Sequence, residues 1–586
     1  MKGNNFKPDI ILIFFLWFLF TPWMKAQQQG TPKWAGKVQK SLVSVTTYDK
    51  NNQLLHNGTG VYINGEGEVV ACYSLFRDAY SAVVTHQNGK TMEVERILGA
   101  DTGYDVVRFQ VNVKHTTPVQ PAIRSKVQVG TKVYALSFSN QKGITYPLST
   151  ISRIDVIDDN YAYYTLETAF DENSSGTALF DAAGDWIGVL LSPIGGHSYA
   201  IDGKFATDLT IPAIATKTGS MALNNIHIKK GLPQSVEEAL VYLYFKSRSA
   251  DNDEYLDLLN LFISTWPQNA EGYYRRATTL TDLCRFDEAE ADLQEYLKLA
   301  ADHEDAMAKI ASSIYTKLLY QPEPAYDRWN YDVSLQYIDK AIQGTSNRLA
   351  EAKDEQAQSM AEANLLQYRL QKAQILMAKK DYKAALQIYE DVNKGPYRSP
   401  GTLYAASLAH EAAGDSASVC IALIDSALTL FPTPLPQDAA NYVMRRGQLF
   451  ASIGKYREAV LDYNQYCYLY NNKVNAQFYY DRSQLEVNAR MFQQALDDLS
   501  AAIDEAPRVP LFHVEKSGLL LRVGMIDECM EEARQCLQLE PDNTDAYRIL
   551  GYAQFQKGQK QIGRQNLQKA ADMGDEAAKT ILEKLK

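Results

Sequence analysis

The side chains able to do chemistry in this 586-residue chain are serines and carboxylates set in turns of small residues. Residues 58–74 read Gly-Thr-Gly-Val-Tyr-Ile-Asn-Gly-Glu-Gly-Glu-Val-Val-Ala-Cys-Tyr-Ser and end on Ser74. Residues 99–107 run Gly-Ala-Asp-Thr-Gly-Tyr-Asp-Val-Val and carry Asp105. Residues 173–181 run Asn-Ser-Ser-Gly-Thr-Ala-Leu-Phe-Asp and carry Ser175. A serine attacks only when a neighbouring base takes its proton, most often an imidazole oriented by a carboxylate. None of the three stretches contains a histidine. The histidines of this part of the chain are His56, His86, His115 and His197. His56 precedes Gly58, His86 falls at a hairpin tip, His115 lies in a polar stretch before Pro118, and His197 follows two glycines. Each is read as a surface or loop residue.

The elements that must position these residues are strands. Residues 42–48, Leu-Val-Ser-Val-Thr-Thr-Tyr, alternate as a strand, and 49–52, Asp-Lys-Asn-Asn, form a turn. Residues 60–63 and 69–72 flank the turn Asn64-Gly65-Glu66-Gly67. Residues 82–85 and 92–94 flank His86-Gln87-Asn88-Gly89, where Asn-Gly suits a tight hairpin. Many short strands at this spacing predict a closed all-β domain over about 33–215.

In this order and spacing the segments resemble trypsin-like serine proteases of the HtrA type, which implies a double β-barrel. The resemblance implies roles for single residues. Ser175 stands at the nucleophile position and Asp105 at that of the carboxylate that orients the base. Ser74 stands where the family has the base histidine. Asn173 replaces a glycine whose N–H helps form the oxyanion hole, and Thr177 replaces a second glycine after the nucleophile. Residues 184–189 resemble the strand pair after the nucleophile, and Tyr199-Ala200-Ile201 the strand lining the substrate cleft. A serine at position 74 cannot act as a base near neutral pH, and a β-branched residue beside the nucleophile loop disfavours its usual backbone. The expectation is a catalytically degenerate module in which Asp105 and Ser175 are relic triad positions.

From Leu232 onward the apolar period becomes helical and the sequence repeats. Phe286-Asp287-Glu288-Ala289, Tyr382-Lys383-Ala384-Ala385, Tyr456-Arg457-Glu458-Ala459 and Phe492-Gln493-Gln494-Ala495 each set an apolar residue three before a small one, and Ile526-Asp527-Glu528-Cys529 is a variant. The small positions 459, 495, 529 and 563 are 36, 34 and 34 residues apart. Units tend to end near Pro267, Pro432, Pro507 and Pro541. This pattern resembles the tetratricopeptide repeat, a helix-turn-helix unit of about 34 residues. About nine units are expected, starting near 235, 270, 304, 363, 401, 438, 475, 510 and 545. Ala289, Ala385, Ala459, Ala495 and Gly551 let paired helices approach; Tyr463, Tyr466 and Leu499 fill the gaps between repeats. Residues 320–335, with Pro322, Pro324, Trp329 and Tyr331, read as an inserted loop. Residues 346–380 read as one long helix or a mispaired register. The tyrosines at 468, 470, 479 and 480 are read first as core and second as contacts.

The expected layout is a signal peptide at 1–26, a trypsin-like domain at 33–215, a linker at 216–234 and a superhelix at 235–586. Lys2 and Lys7 followed by the apolar run Ile10 to Phe20 suit a secretory leader and are short for a membrane span. The protein is therefore expected in the periplasm or secreted, with outer-membrane association open and a Gram-negative source implied. A net charge of −11 with no basic run argues against nucleic acid. The six cysteines lack Cys-x-x-Cys spacing and read mostly as small buried residues. No phosphate loop or metal-ligand cluster appears, so neither cofactor nor metal is expected. The function implied is an interaction scaffold, with the concave face of the repeats binding a peptide or protein in an envelope complex. The alternative is an active serine endopeptidase using Ser175 with a non-standard base and the repeats as a recruiting arm. A sugar-binding role has no specific motif behind it.

Overall fold

The computed structural model describes residues 31–122, 126–139, 143–157, 160–170, 174, 176–191, 193–214 and 217–585. The expected leader, Asn173 and Ser175 lie outside the described residues. The chain divides into two compact units, Met1–Leu299 and Ala300–Lys586.

The first unit begins with a short helix, α1 (Ala35–Val38), and a closed barrel. Its strands are β1 (Leu42–Tyr48), β2 (Leu54–Tyr62), β3 (Glu68–Ala71), β4 (Ser81–Thr85), β5 (Thr91–Asp101) and β6 (Val106–Val111). They run in the order β1-β2-β3-β6-β5-β4, closed by antiparallel pairing of β1 with β4. Alternation decides which way each side chain points. On β1, Val43 and Val45 enter the barrel core with Tyr62, Val69, Ile97 and Phe109, whereas Leu42 joins a second cluster with Leu136, Phe180 and Trp186. Both faces of β1 are thereby buried, its polar residues Ser44 and Thr47 included.

The second sheet comprises β7 (Lys132–Ser139), β8 (Gly143–Thr145), β9 (Leu148–Ile157), β10 (Tyr161–Leu166), β11 (Ala178–Asp181), β12 (Trp186–Leu190) and β13 (Ser198–Asp202). Pairing of β11 with β7 closes six of these strands into a second barrel, with β8 attached at its side. Val133, Ala135, Ile151, Tyr164, Leu179 and Ala200 fill it. The double barrel implied by the sequence resemblance is present.

Helix α2 (Gly203–Asp208) follows, capped by the Asp202 side chain. The stretch expected as a linker, 216–234, contains α3 (Lys217–Asn224) and works as part of the barrel. Ala222, Ile226 and Ile228 enter the first barrel's core. Residues 229–231 add a short parallel bridge to β5: the Ile97 amide donates to the Lys229 carbonyl and the Gly231 amide to the Ile97 carbonyl, each at 2.8 Å. The apolar Ile226 and Ile228 explain this, since they have nowhere else to be buried.

Among the described residues the helical part holds nine pairs and a final helix. In the first unit these are α4 (Val236–Lys246) with α5 (Asn252–Thr265), and α6 (Ala270–Asp282) with α7 (Phe286–Leu299). The second unit holds α8 (His303–Tyr320) with α9 (Tyr331–Glu351), α10 (Glu355–Lys379) with α11 (Tyr382–Lys394), and α12 (Pro400–Ala413) with α13 (Ala417–Leu428). It continues with α14 (Ala440–Ser452) and α15 (Tyr456–Leu469), α16 (Ala476–Asn488) and α17 (Phe492–Glu505), α18 (Pro510–Val523) and α19 (Ile526–Leu539), and α20 (Thr544–Gln556) and α21 (Lys560–Asp572). Helix α22 (Glu576–Lys584) ends the chain's described part. The single helix expected over 346–380 is two helices. The chain breaks at 352–354, where the Asp354 side chain accepts from the Ala357 amide and caps α10.

Small residues work as expected. Ala289, Ala385, Ala459 and Ala495 are fully buried. Gly551 and Gly563 face each other across α20 and α21: a Cβ on either would stand 2.8 or 2.6 Å from the other's carbonyl oxygen. Tyr463 and Tyr466 stack on Phe478 at 5.5 and 5.4 Å. Among the clustered tyrosines, Tyr470 packs on Tyr466 and Tyr480 on Phe512, while Tyr468 is exposed.

Candidate functional site

Two of the residues singled out by sequence meet at the end of the first barrel. A 3-10 turn at Tyr73–Leu75 follows β3 and carries Ser74. Asp105 occupies the turn between β5 and β6 in a left-handed conformation, φ +49°, which Asp tolerates better than most residues. Its carbonyl accepts from the Tyr73 amide at 3.0 Å. Its carboxylate grips Ser74 twice: Oδ1 accepts from the Ser74 amide at 2.6 Å and Oδ2 from the Ser74 hydroxyl at 3.1 Å. The carboxylate thus addresses both backbone and side chain of position 74, the arrangement that orients an imidazole in a working triad. Here it orients a hydroxyl.

The loop that leads into β11 approaches the same turn through Gly176. Gly176 has φ +78°, and a Cβ on it would lie 2.5 Å from both Cβ and Sγ of Cys72. Only glycine permits that approach. The Gly176 amide donates to the Leu190 carbonyl at 2.7 Å. Thr177 is buried and spends both donors on the Ser174 carbonyl, its amide at 3.2 Å and its hydroxyl at 2.8 Å. The β-branched residue is accommodated by this double bond, which ties the loop to β11.

The Cys72 thiol lies in this corner, accepting from the Ser74 hydroxyl at 3.4 Å. Burial, and then the negative charge of Asp105, push it up to about 11. It is a protonated thiol at neutral pH and no substitute nucleophile.

The histidines stand in other settings. His56 is exposed on β2, opposite Thr47. His86 opens the β4–β5 turn, and its Nε2 is 2.9 Å from the Tyr62 hydroxyl. Burial, and then Lys90, pull its pKa down. His115 is exposed at φ +62°. His197 is exposed and bridges to Ile194. Strand β13, which carries Tyr199, is paired on both edges, with β10 and β12. It can line a cleft only through side chains, since its backbone ladder is already closed. Tyr199 stacks on Tyr163 at 5.6 Å.

The helical part has a polar device that sequence reasoning missed. Arg276, Arg446 and Arg482 each donate through Nε and Nη2 to both oxygens of an aspartate sixteen residues on: Asp292 (2.7 and 2.7 Å), Asp462 (2.9 and 2.6 Å) and Asp498 (2.6 and 2.6 Å). The remaining Nη1 reaches back to the preceding pair: to Asn260 at 2.8 Å, Asp425 at 2.7 Å and Asn464 at 3.0 Å. One guanidinium therefore ties three helices. The signal was available as Arg-x15-Asp recurring three times. Beside the last of these, Glu486 is buried and its Oε2 has no hydrogen-bond partner. Burial, and then Asp498, hold its carboxyl well above the usual carboxylate range.

Among the described residues no group of histidine, cysteine and carboxylate side chains is placed to hold a metal. Cys72, Cys420, Cys467, Cys529 and Cys536 are buried free thiols, and Cys284 is exposed. No described helix is long and apolar enough to cross a membrane.

Comparison with known proteins agrees with this architecture. Residues 58–189 match the trypsin-like peptidase domain, and residues 270–303 match the tetratricopeptide repeat. Serine endoprotease DegS of Haemophilus influenzae is 21% identical over 254 residues, covering 41% of this chain and 71% of DegS. The anti-sigma-I factor RsgI9 of Acetivibrio thermocellus is 24% identical over 151 residues, 26% of this chain and 21% of that protein. The DnaJ protein P58IPK homolog of Arabidopsis thaliana is 26% identical over 132 residues, 22% of this chain and 24% of its own length. The solved HtrA-type protease AlgW with tripeptide aligns at 19% identity and a TM-score of 0.27, covering 30% of this chain and 62% of AlgW. The chain thus spans about a fifth to a quarter of two of these relatives. It carries a trypsin-like peptidase domain joined to tetratricopeptide repeats.

Proposed function

We propose that this chain is an exported scaffold of the cell envelope whose peptidase domain binds a protein partner without cleaving it, while the repeats hold a second peptide or protein segment. The observation that carries the reading is Ser74 seated on the Asp105 carboxylate. The frame that would aim a base is intact, and the base is absent. Loss of the histidine from a comparable triad costs roughly 10⁶-fold in kcat. The neighbouring thiol is protonated, and the nearby histidines belong to other strands and turns. What survives is a fold with a shaped surface, and repeats of this kind are built to present concave surfaces.

A second reading rests on the same Asp105 geometry: hydrolysis through Ser175 with a base lent by a bound partner or by substrate. Fluorophosphonate labelling of the exported protein separates the two. We expect no labelling of wild type, with or without an unfolded protein substrate present. Labelling of wild type that Ser175→Ala abolishes would replace the scaffold with a hydrolase.

A further inference from the structure

Within the first unit, the segment leaving the barrels and the hairpin α4–α5 enclose a cavity of about 710 Å³. It uses none of the triad positions. Its accessible apolar side chains are Leu223 from the barrel side and Tyr242 and Phe245 from α4, while Ile226, Ile228 and Leu258 stand behind them, buried in the neighbouring cores. Phe245 is left 48% exposed, so an apolar body seated here would remove it from water.

The lining carries three ammonium groups, Lys229, Lys230 and Lys246, and four carboxylates, Asp251, Asp253, Glu254 and Asp257. Lys229 bonds Asp257 at 2.8 Å, and Asp257 also takes Arg96 at 2.6 Å. Lys246 bonds Glu254 at 2.8 Å. The exposed Asp251 accepts the Glu254 amide as the cap of α5, and Asp253 is exposed to solvent on the same turn. Lys230 remains. Its ammonium donates to the carbonyls of Ile226 and Ile228, each at 2.5 Å. Among the described residues no carboxylate stands within ion-pair distance of it. Two carbonyl dipoles fill two of its three donors without neutralising its charge. Burial, and then Lys246, pull it down to about 8. Glu254, itself bonded to Lys246, offsets this charge only in part, and a partly buried cation so compensated is costly to keep. Its position is nevertheless fixed, because the Lys229 carbonyl and the Gly231 amide on either side are bonded to Ile97.

We propose that this cavity binds the carboxylate of an apolar ligand, with the free donor of Lys230 meeting the carboxylate and Phe245, Tyr242 and Leu223 covering the apolar body. The volume lies within the range of small-ligand sites, roughly 300–1,000 Å³. The rim carboxylates Asp251 and Asp253 are in water and screened, so they weaken the attraction less than Lys230 supplies it. Two sources have this chemistry: the C-terminus of a peptide ending in an apolar residue, and a free aliphatic acid. The site does not depend on whether the triad remnant is silent.

Calorimetric titration of the whole chain decides it with three probes: an acetylated Ala-Leu-Phe tripeptide acid, its C-terminal amide, and octanoate. The acid peptide is expected to bind at least tenfold more tightly than the amide. Octanoate binding as well as the peptide assigns a free acid as the source; octanoate binding much more weakly assigns a peptide C-terminus. Lys230→Met keeps the aliphatic stem, removes the charge and should weaken the acid at least tenfold with no drop in Tm. Should that variant misfold, the half-exposed Phe245→Ala carries the test, with an expected loss of several-fold. Equal affinity for acid and amide, no binding of either acid to wild type, or full retention of binding in folded Lys230→Met or in Phe245→Ala overturns the proposal.

Discussion

The barrels and the helical array treat their carboxylates in opposite ways. In the barrel, Asp105 is aimed with two bonds at the amide and the hydroxyl of a single serine. In the array, Asp292, Asp462 and Asp498 are each met by a bidentate arginine. The first arrangement occurs once, on a left-handed residue at a turn. The second recurs at a fixed spacing on regular helices. Repetition marks a polar group as part of the packing; a single costly conformation marks one as belonging to a site.

The largest expected effect comes from restoring the missing group. Ser74→His should place an imidazole over Asp105 and give fluorophosphonate labelling faster than wild type by about 10²–10⁴-fold, provided Ser175 is present. The double variant Ser74→His/Ser175→Ala should be silent. A folded Ser74→His that stays silent would mean that the loop before Gly176 departs from a working geometry as well, and the difference between the two regions would lie in backbone rather than in one side chain.

Next in size is the array's own device. Arg482→Ala leaves Asp498 buried without its cation, and chemical denaturation should show a loss of about 3–5 kcal/mol. Arg153→Ala, which breaks an exposed pair with Asp155 on β9, should cost below about 1 kcal/mol. If the two losses came out equal, the arginines of the array would be surface decoration and the contrast with Asp105 would collapse.

How much of this was legible before the fold was known follows from the range of the interactions. Ser74 and Asp105 could be paired by resemblance, because each sits in a short segment with a recognisable pattern. The helix pairs around Ala459, Ala495 and Gly563 were legible because these residues mark helix crossings, where size matters directly, whereas the start expected near 363 falls inside α10, which begins at Glu355. The break before Glu355 was not: Ala352-Lys353-Asp354 lacks Pro and Gly, and only the capping bond from Asp354 gives it away. The role of 222–231 was hidden as well, since Ile226 and Ile228 find their partners in a barrel more than a hundred residues earlier in the chain. The Arg-x15-Asp spacing was in plain view. Arg446 reads as a surface residue until Asp462 and Asp425 are seen around it.

Glu486 sharpens the comparison through pH. Its folded pKa lies above the ordinary value of 4.5, at about 8, so the folded state holds the proton more tightly than the unfolded chain does. The stability this contributes is fully present below pH 4.5 and is lost as pH rises towards 8, by at most about 1.4 kcal/mol per pH unit. Glu486→Gln, neutral throughout, should remove that slope. The stability difference between variant and wild type should widen in the variant's favour from pH 5 to pH 8. A difference independent of pH would place Glu486 in the ionised form beside Asp498, and Arg482 would then be answering two charges instead of one.

The smallest effect is at the Ser74–Asp105 pair. Ser74→Ala removes one hydrogen bond to Asp105 and should cost about 1 kcal/mol. Asp105→Ala removes the acceptor of the Ser74 amide as well and should cost about 1–3 kcal/mol, because a backbone donor is left unmatched. The order matters more than the sizes. Asp105 costing more than Ser74 means that the carboxylate now serves the backbone of the turn, the same structural duty that Asp498 performs for its helices. Had Ser74→Ala cost as much, the hydroxyl would be the group under constraint, and position 74 would have been refitted to its carboxylate after the histidine was lost.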